Sequence, residues 1–342
     1  MPTIYDVAQL AAVSPSTVSR VINGRGNVDA ELAKRVRQAV LTLNYRPNSV
    51  ARNLRRQTSA VWRVIIPDIE NPHFTSLIRG IEDVAQAVGN SVVLCNTDED
   101  IAKEQRYVDV AVTERAAGVI MSPAADSQST IGPLLERGVP VVTIDRRLRK
   151  SPVDAVMVEN SEGAAAATAH LLESGYSRVA CITGPMRTST AAQRLYGYRR
   201  AVRAAGFTYD RRLVRVADYK EVGGYEAARM LLDAAEPPDA LFVANSLMTI
   251  GAVRCIGDVG LEIPREIGIV GFDDHRWAEL LRPPLSTVAQ PTYEQGRAAA
   301  HMLLERAADP DAPPRTVKLP TQLIVRESSV RCPVVDTSRA RA

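Results

Sequence analysis

The spacing of apolar residues changes character near residue 60. Before it they recur every three or four positions, the period of short helices; after it, brief apolar runs alternate with longer amphipathic ones. Val7, Ala8, Leu10 and Ala11 follow Thr3 and Asp6, a capping box with Asp in the usual Glu position, and predict a helix from about 4 to 11. Ala12-Val13-Ser14 reads as a tight turn. Ser14-Pro15 then restarts a helix, because Ser offers an N-cap oxygen and Pro fits the first helical position. Val18, Val21 and Ile22 form its apolar face against Val7 and Ala8, leaving Ser16, Thr17, Ser19, Arg20 and Asn23 on the other side. Leu32, Val36, Val40 and Leu43 predict a third helix over about 30–44, with Lys34, Arg35 and Arg37 on its outer surface. Pro47 breaks it. The following segment is too short to be a stable helix alone, but Val50 and Leu54, four apart, give it one contact stripe.

From Ala60 the short runs read as strands: Val61–Pro67, Ser91–Asn96, Gly118–Ser122, Pro140–Asp145, Ala155–Glu159, Arg178–Gly184, Leu213–Val216, Ala240–Asn245, Ile267–Phe272, Ser286–Ala289, Val317–Leu319 and Leu323–Arg326. Helical patterns such as Phe74–Val88, Ser161–Glu173, Ala191–Ala205 and Tyr293–Ala307 lie between them. The alternation predicts doubly wound parallel sheets, and so many strands favour two of them. In such sheets ligands bind outside the carboxyl ends of the strands, so two facing sheets would converge on a cleft.

Charge sharpens this division. Nine Lys/Arg against three Asp/Glu give residues 1–60 a charge of +6, while the remaining 33 basic and 36 acidic residues give −3. A basic head on a mildly acidic body suits a chain that meets a polyanion at one end. Cys95, Cys181, Cys255 and Cys332 show no CxxC spacing, so buried free thiols in a reducing compartment are expected. No secretion-signal pattern opens the chain and no apolar run approaches the ~18 residues of a membrane span. A cytoplasmic protein without membrane contact is expected.

Two short helices across a three-residue turn, the second with short polar side chains outward, form a helix-turn-helix pattern able to reach base edges in a major groove. A plain three-helix bundle with a solvated polar face is the alternative. The stretch from Tyr5-Asp6-Val7-Ala8 through Val13-Ser14, Ser16-Thr17-Val18-Ser19-Arg20-Val21-Ile22-Asn23-Gly24, Leu43-Asn44-Tyr45 and Pro47-Asn48 to Val50-Ala51-Arg52 and Leu54 resembles the LacI/GalR family of bacterial transcriptional repressors, and the likeness runs to about residue 330. The resemblance implies an all-α helix-turn-helix headpiece with a hinge helix, then an α/β periplasmic-binding-protein-like core of two doubly wound parallel-sheet subdomains. The implied divisions are 1–46 for the headpiece, 47–59 for the hinge and linker, 60–330 for the core and 331–342 for a tail. Within the core, about 60–159 with 290–320 would form one subdomain and about 160–289 with 321–330 the other. Implied DNA contacts are Ile4, Ser14, Pro15, Ser16, Thr17, Arg20, Asn23, Asn27, Asn48, Ala51 and Leu54, with Leu54 wedged into the minor groove by a hinge that folds on DNA as a dimer. Ala12 stands where the family often has Gly and is expected to change little. Pro15 cannot hydrogen-bond a base edge, which leaves readout to Ser16, Arg20 and apolar contact.

At the strand ends stand Asn71-Pro72-His73-Phe74, Asp145-Arg146, Asn160, Asn245 and Asp273-Asp274, a set suited to a hydroxylated or heterocyclic ligand. Each residue taken singly could be a turn former or helix cap. The resemblance implies effector contacts at His73, Phe74, Asp145, Arg146, Asn160, Arg194, Tyr219, Asn245 and Asp273. Ser246 replaces the Asp that often follows Asn245, which removes a carboxylate, while Arg146 adds a cation. A sugar is the first expectation, with a sugar acid or sugar phosphate gaining weight. No GxxxxGK, GxGxxG, GxSxG or HExxH occurs, and His73, His170, His275 and His301 lack metal-ligand spacing, so no enzyme, cofactor or metal is expected. The terminal residues carry no leucine heptad, so a homodimer matching a palindromic operator is expected. A transport solute-binding protein, and a regulator whose ligand is a co-repressor, are the competing readings.

Overall fold

The structure, a computed structural model, describes residues 2–22, 24, 28–45 and 59–331. It comprises two units, Met1–Thr58 and Ser59–Ala342. The hinge segment with Asn48, Ala51 and Leu54, the residues Asn23 and Asn27, Cys332 and the tail lie outside the described residues.

Helix ends define the first unit. In α1 (Ile4–Ala11) the Thr3 hydroxyl accepts from the Asp6 N–H at 3.4 Å and the Asp6 carboxylate accepts from the Thr3 N–H at 2.6 Å, so both halves of the capping box form. α2 (Pro15–Ile22) starts where Ser14 Oγ accepts from the Thr17 N–H at 3.2 Å. Asp29 caps α3 (Ala30–Thr42), accepting from the N–H groups of Glu31 and Leu32 at 3.0 and 3.2 Å. Val7, Ala8, Ala11, Val18, Val36 and Ala39 make the core; Leu10 is 53% exposed. Two expectations change. Ala12 ends α1 in the left-handed region at φ 51°, where a Cβ is disfavoured, so its place in the turn is not neutral. Arg35, expected as surface decoration, donates from Nε to Ala11 O at 3.1 Å and from Nη2 to Ala12 O at 3.0 Å, satisfying the free carbonyls at the end of α1.

The second unit contains two six-stranded sheets. The first holds β1 (Val61–Ile66), β2 (Ser91–Asn96), β3 (Gly118–Met121), β4 (Val141–Ile144), β5 (Asp154–Val158) and β11 (Thr316–Leu319), all parallel, in the order β11-β5-β4-β3-β1-β2. The second holds β6 (Val179–Thr183), β7 (Val214–Val216), β8 (Ala240–Val243), β9 (Gly268–Phe272), β10 (Ser286–Ala289) and β12 (Gln322–Ile324) in the order β12-β10-β9-β8-β6-β7, with β12 antiparallel to β10. Helices cover these sheets: α4 (Pro72–Ala87), α5 (Ile101–Thr113), α6 (Gly132–Glu136) and α11 (Thr292–Ala308) follow strands of the first or return to it. α7 (Asn160–Glu173), α8 (Ser189–Ala204), α9 (Glu221–Leu232) and α10 (Ser246–Val259) belong with the second. Central strands such as β3, β4, β6, β8 and β9 are buried along their whole length, which is why they read as unbroken apolar runs.

The chain passes between the sheets three times: from β5 to β6, from β10 to β11, and from β11 to β12 across only Pro320 and Thr321. Cys95, Cys181 and Cys255 are buried free thiols, and burial pushes Cys95 and Cys181 upward. Among the described residues no helix is long and apolar enough to cross a membrane, and no His/Cys/Asp/Glu group is placed to hold a metal ion.

Candidate functional site

The carboxyl ends of both sheets open onto one small cavity, about 30 Å³ in volume, room for about two water molecules. After β1, Asn71 caps α4 by accepting from the His73 N–H at 3.0 Å, and this turn delivers His73 and Phe74 to the wall. Their rings meet edge to face, with centroids 4.9 Å apart. Asp145 and Arg146 follow β4. From the second sheet come Arg194 on α8, Tyr219 after β7, Asn245 after β8, Asp273 after β9 and Gln290 after β10. Asp145, Tyr219 and Asp273 all adopt positive φ, at 64°, 67° and 77°. Such strain in non-glycine residues persists where the surroundings hold it, often at ligand sites.

Arg194 is buried and held from three sides. Nε donates to Asn160 Oδ1 and Nη1 donates to Ala244 O, each at 2.7 Å, while the guanidinium lies 3.7 Å from the Phe272 ring centroid. Asn160 therefore stands behind Arg194 and does not line the cavity, unlike the other eight residues of its set. The Tyr219 hydroxyl is hydrogen-bonded with Thr190 at 3.0 Å and Thr188 at 3.3 Å. Its ring occupies the space over Gly184, where an added Cβ would come within 2.1 Å of the ring. Burial raises the Tyr219 phenol above its ordinary pKa.

His73 is 4% exposed and sits between two carboxylates, Nε2 at 3.8 Å from Asp145 and Nδ1 at 3.9 Å from Asp273. Neither ring nitrogen has a hydrogen-bond partner among the described residues. Burial alone would raise the Asp273 carboxyl; neighbouring His73, Arg194 and His275 and the Gln290 amide reverse this and hold it below its ordinary 3.8. Arg146, read from the sequence as an added cation, is paired: Nη1 and Nη2 donate to both oxygens of Glu99 at 2.8 and 2.6 Å. Burial opposes the Arg146 charge, but Glu99 and then Asp145 outweigh it, so the guanidinium stays charged. Lys220 Nζ meets Asp68 Oδ2 at 2.6 Å. Asn245 both lines the cavity and caps α10, accepting from the Met248 N–H at 2.8 Å. Ser246 links Asp273 and Asn71, donating its N–H to the first at 3.3 Å and its hydroxyl to the second at 3.5 Å.

Asp68 and Gln290 also stand at strand ends but were not among the expected contacts, and Asn71 was expected only as a strand-end residue. Glu99, Thr190 and Lys220 carried no such signal. Glu99 lies in an acidic run that reads as solvated surface, and its Arg146 partner is distant in sequence.

On α2, Ser16 and Arg20 are exposed, Pro15 and Thr17 half-buried. Ser14 Oγ lies 2.8 Å from Ser16 Oγ and 2.9 Å from Thr17 Oγ1, so the three hydroxyls form one local cluster at the start of the helix. Arg20 makes no ion pair among the described residues, whereas Ile4 packs on the headpiece core. Hydroxyls and a guanidinium on one helix can reach base edges or phosphates.

Residues 3–48 match the model of the bacterial regulatory proteins of the lacI family, and residues 168–329 that of a periplasmic binding protein-like domain. The ribose operon repressor of Halalkalibacterium halodurans is 36% identical over 329 residues, covering 96% of this chain and 97% of that protein. The chain belongs to the LacI family. Among solved structures, this LacI-family chain resembles the lac repressor dimer bound to operator and the anti-inducer ONPF, with TM-score 0.86, 26% identity, and 96% and 99% of the two chains covered. A LacI family regulator from Enterococcus faecium with bound ribose matches with TM-score 0.72 and 28% identity, over 80% of this chain and all of that one.

Proposed function

We propose that this LacI-family protein is a sugar-responsive repressor that binds a palindromic operator as a homodimer through α2 and releases it when a monosaccharide enters the cavity. The observation that carries this reading is the convergence of polar strand-end residues from both sheets on one cavity, above all Arg194 braced by Asn160 and His73 set between Asp145 and Asp273. Relatives named ribose operon repressor, and a relative with ribose bound, make D-ribose the first sugar to test. The protein acts by binding: the cavity presents hydrogen-bond donors and acceptors from both sheets to a hydroxylated ligand. A sugar gripped by both sheets would stabilise one spacing between them, and the operator another; such coupling typically amounts to about 1–3 kcal/mol, or roughly 5–150-fold in affinity.

The test is to select duplexes from a random pool with the full-length protein and measure affinity for the winner with and without sugar. A two-fold symmetric site, bound more weakly as salt rises, and an affinity falling about tenfold or more with D-ribose are expected. No duplex retained at low salt would return the chain to the solute-binding class. Tighter binding with ribose would reverse the sign and make it a co-repressor.

A further inference from the structure

We infer that Glu99 is a specificity-determining residue and that the ligand of the cavity is an uncharged polyol rather than a sugar phosphate or sugar acid. The inference rests on the reading that this cavity is the effector site, and it concerns how the cavity's charges are already committed.

Two of the three cations at the cavity are already paired with carboxylates, and the third is held by neutral groups. Glu99 takes both terminal nitrogens of Arg146 in a fork at 2.6 and 2.8 Å, with the side chains 10% and 4% exposed. Asp68 holds Lys220 at 2.6 Å. Arg194 is engaged by Asn160, the Ala244 carbonyl and the Phe272 ring. Four carboxylates, Asp68, Glu99, Asp145 and Asp273, face three cations, Arg146, Arg194 and Lys220, so the lining carries −1 with histidine neutral. A phosphate placed against Arg146 would compete with Glu99, which Arg187 approaches only to 3.9 Å, and would add negative charge to a lining that already carries an excess of it.

What remains uncommitted has a different chemistry. The buried atoms without hydrogen-bond partners here are His73 Nδ1 and Nε2, Arg146 Nε and Gln290 Oε1, a mixture of donors and acceptors. Among the described residues, Asp145 has only the Ser122 hydroxyl, at 3.5 Å, as a side-chain hydrogen-bond donor, and Arg146 Nε at 3.7 Å as its nearest cation. Asp273 receives the Ser246 N–H and the Gln290 amide and no Arg or Lys. Hydroxyl groups both donate and accept and can satisfy such a set. Phosphate and carboxylate oxygens only accept and would face two carboxylates.

Calorimetry on the full-length protein with D-ribose, other neutral pentoses and hexoses, D-ribose 5-phosphate and D-ribonate tests this, using wild type and Glu99→Gln. A neutral sugar should bind wild type about a hundredfold or more tighter than its charged counterparts. Glu99→Gln, by releasing the Arg146 fork, should narrow that ratio about tenfold, chiefly through gained affinity for the anions. If Glu99→Gln fails to fold, Asp68→Asn, which releases Lys220, should narrow the ratio in the same direction. Wild type that prefers an anion, or folded variants with an unchanged ratio, would overturn the inference while leaving a sugar-responsive repressor intact. No binding by either class would remove the reading beneath it.

Discussion

A single half-buried side chain can report on the chemistry around it. His275 follows the Asp273-Asp274 pair, and its Nε2 has no hydrogen-bond partner. Burial lowers its pKa below the ordinary 6.5; Asp273 and Asp274 pull it up and His73 pushes it further down, with the net direction downward. Burial likewise lowers His170, against the pull of Glu173. The unfolded chain thus takes up protons below pH 6.5 that the folded chain refuses, so folding stability falls as pH drops through that window. His275→Gln should therefore show a smaller fall in Tm between about pH 7 and about pH 5.5 than wild type. We expect a difference of about 2–4 °C in calorimetric scans, roughly 1 kcal/mol; parallel curves would place the sensitivity elsewhere. Single residues were partly legible in the sequence. Arg194 and Asp273 could be found because strand ends are where doubly wound sheets bind ligands. Glu99 could not, since its meaning depends on a partner 47 positions away that only the folded sheet brings near.

At the scale of elements, the headpiece helices start where expected, whereas those of the core start one or two residues early and end within one residue of the expected place. Pro72 opens α4 two residues before the expected Phe74 because Asn71 caps it and Pro suits the first turn. β7 begins at Val214 because Asp210 caps a short 3-10 turn that takes in Leu213, the expected first strand residue. The end of α1 is the sharpest case. The turn was legible, but the left-handed conformation of Ala12 and the reach of Arg35 across 24 residues were not, because both are set by how α3 packs. Ala12→Gly should remove the Cβ penalty, partly offset by the greater freedom of Gly when unfolded, and stabilise the headpiece by about 1 kcal/mol. Amide exchange of α1 and α3 in the full-length protein should slow about fivefold; faster exchange would mean the turn relaxes another way.

For the whole effector core, the cavity is too small to admit a sugar without movement, and cross-links between the sheets hold it so. Lys220 bridges to Asp68, the Asp126 carboxylate accepts the Ser189 N–H at 3.0 Å, and the Arg147 N–H meets Ser189 Oγ at 3.4 Å. The Lys220 ion pair is at the cavity and partly exposed, so its loss should loosen closure without emptying a core. Lys220→Met should raise the radius of gyration measured by solution scattering in the absence of sugar and speed sugar association several-fold. An unchanged scattering curve with an unchanged association rate would show that the other contacts suffice.

The three passages of the chain between the sheets bear on what such loosening can do. Two lobes joined by one flexible strand could tumble against each other. Joined by three neighbouring strands, one of them shortened to Pro320 and Thr321, they keep essentially one soft coordinate, like covers on a common spine. Two residues span at most about 7 Å of extended chain, so this strap has almost no slack. Energy delivered by a ligand is then not dispersed over many small displacements. It goes into one angle, and whatever is attached to the far edges of the covers receives the largest share of the travel.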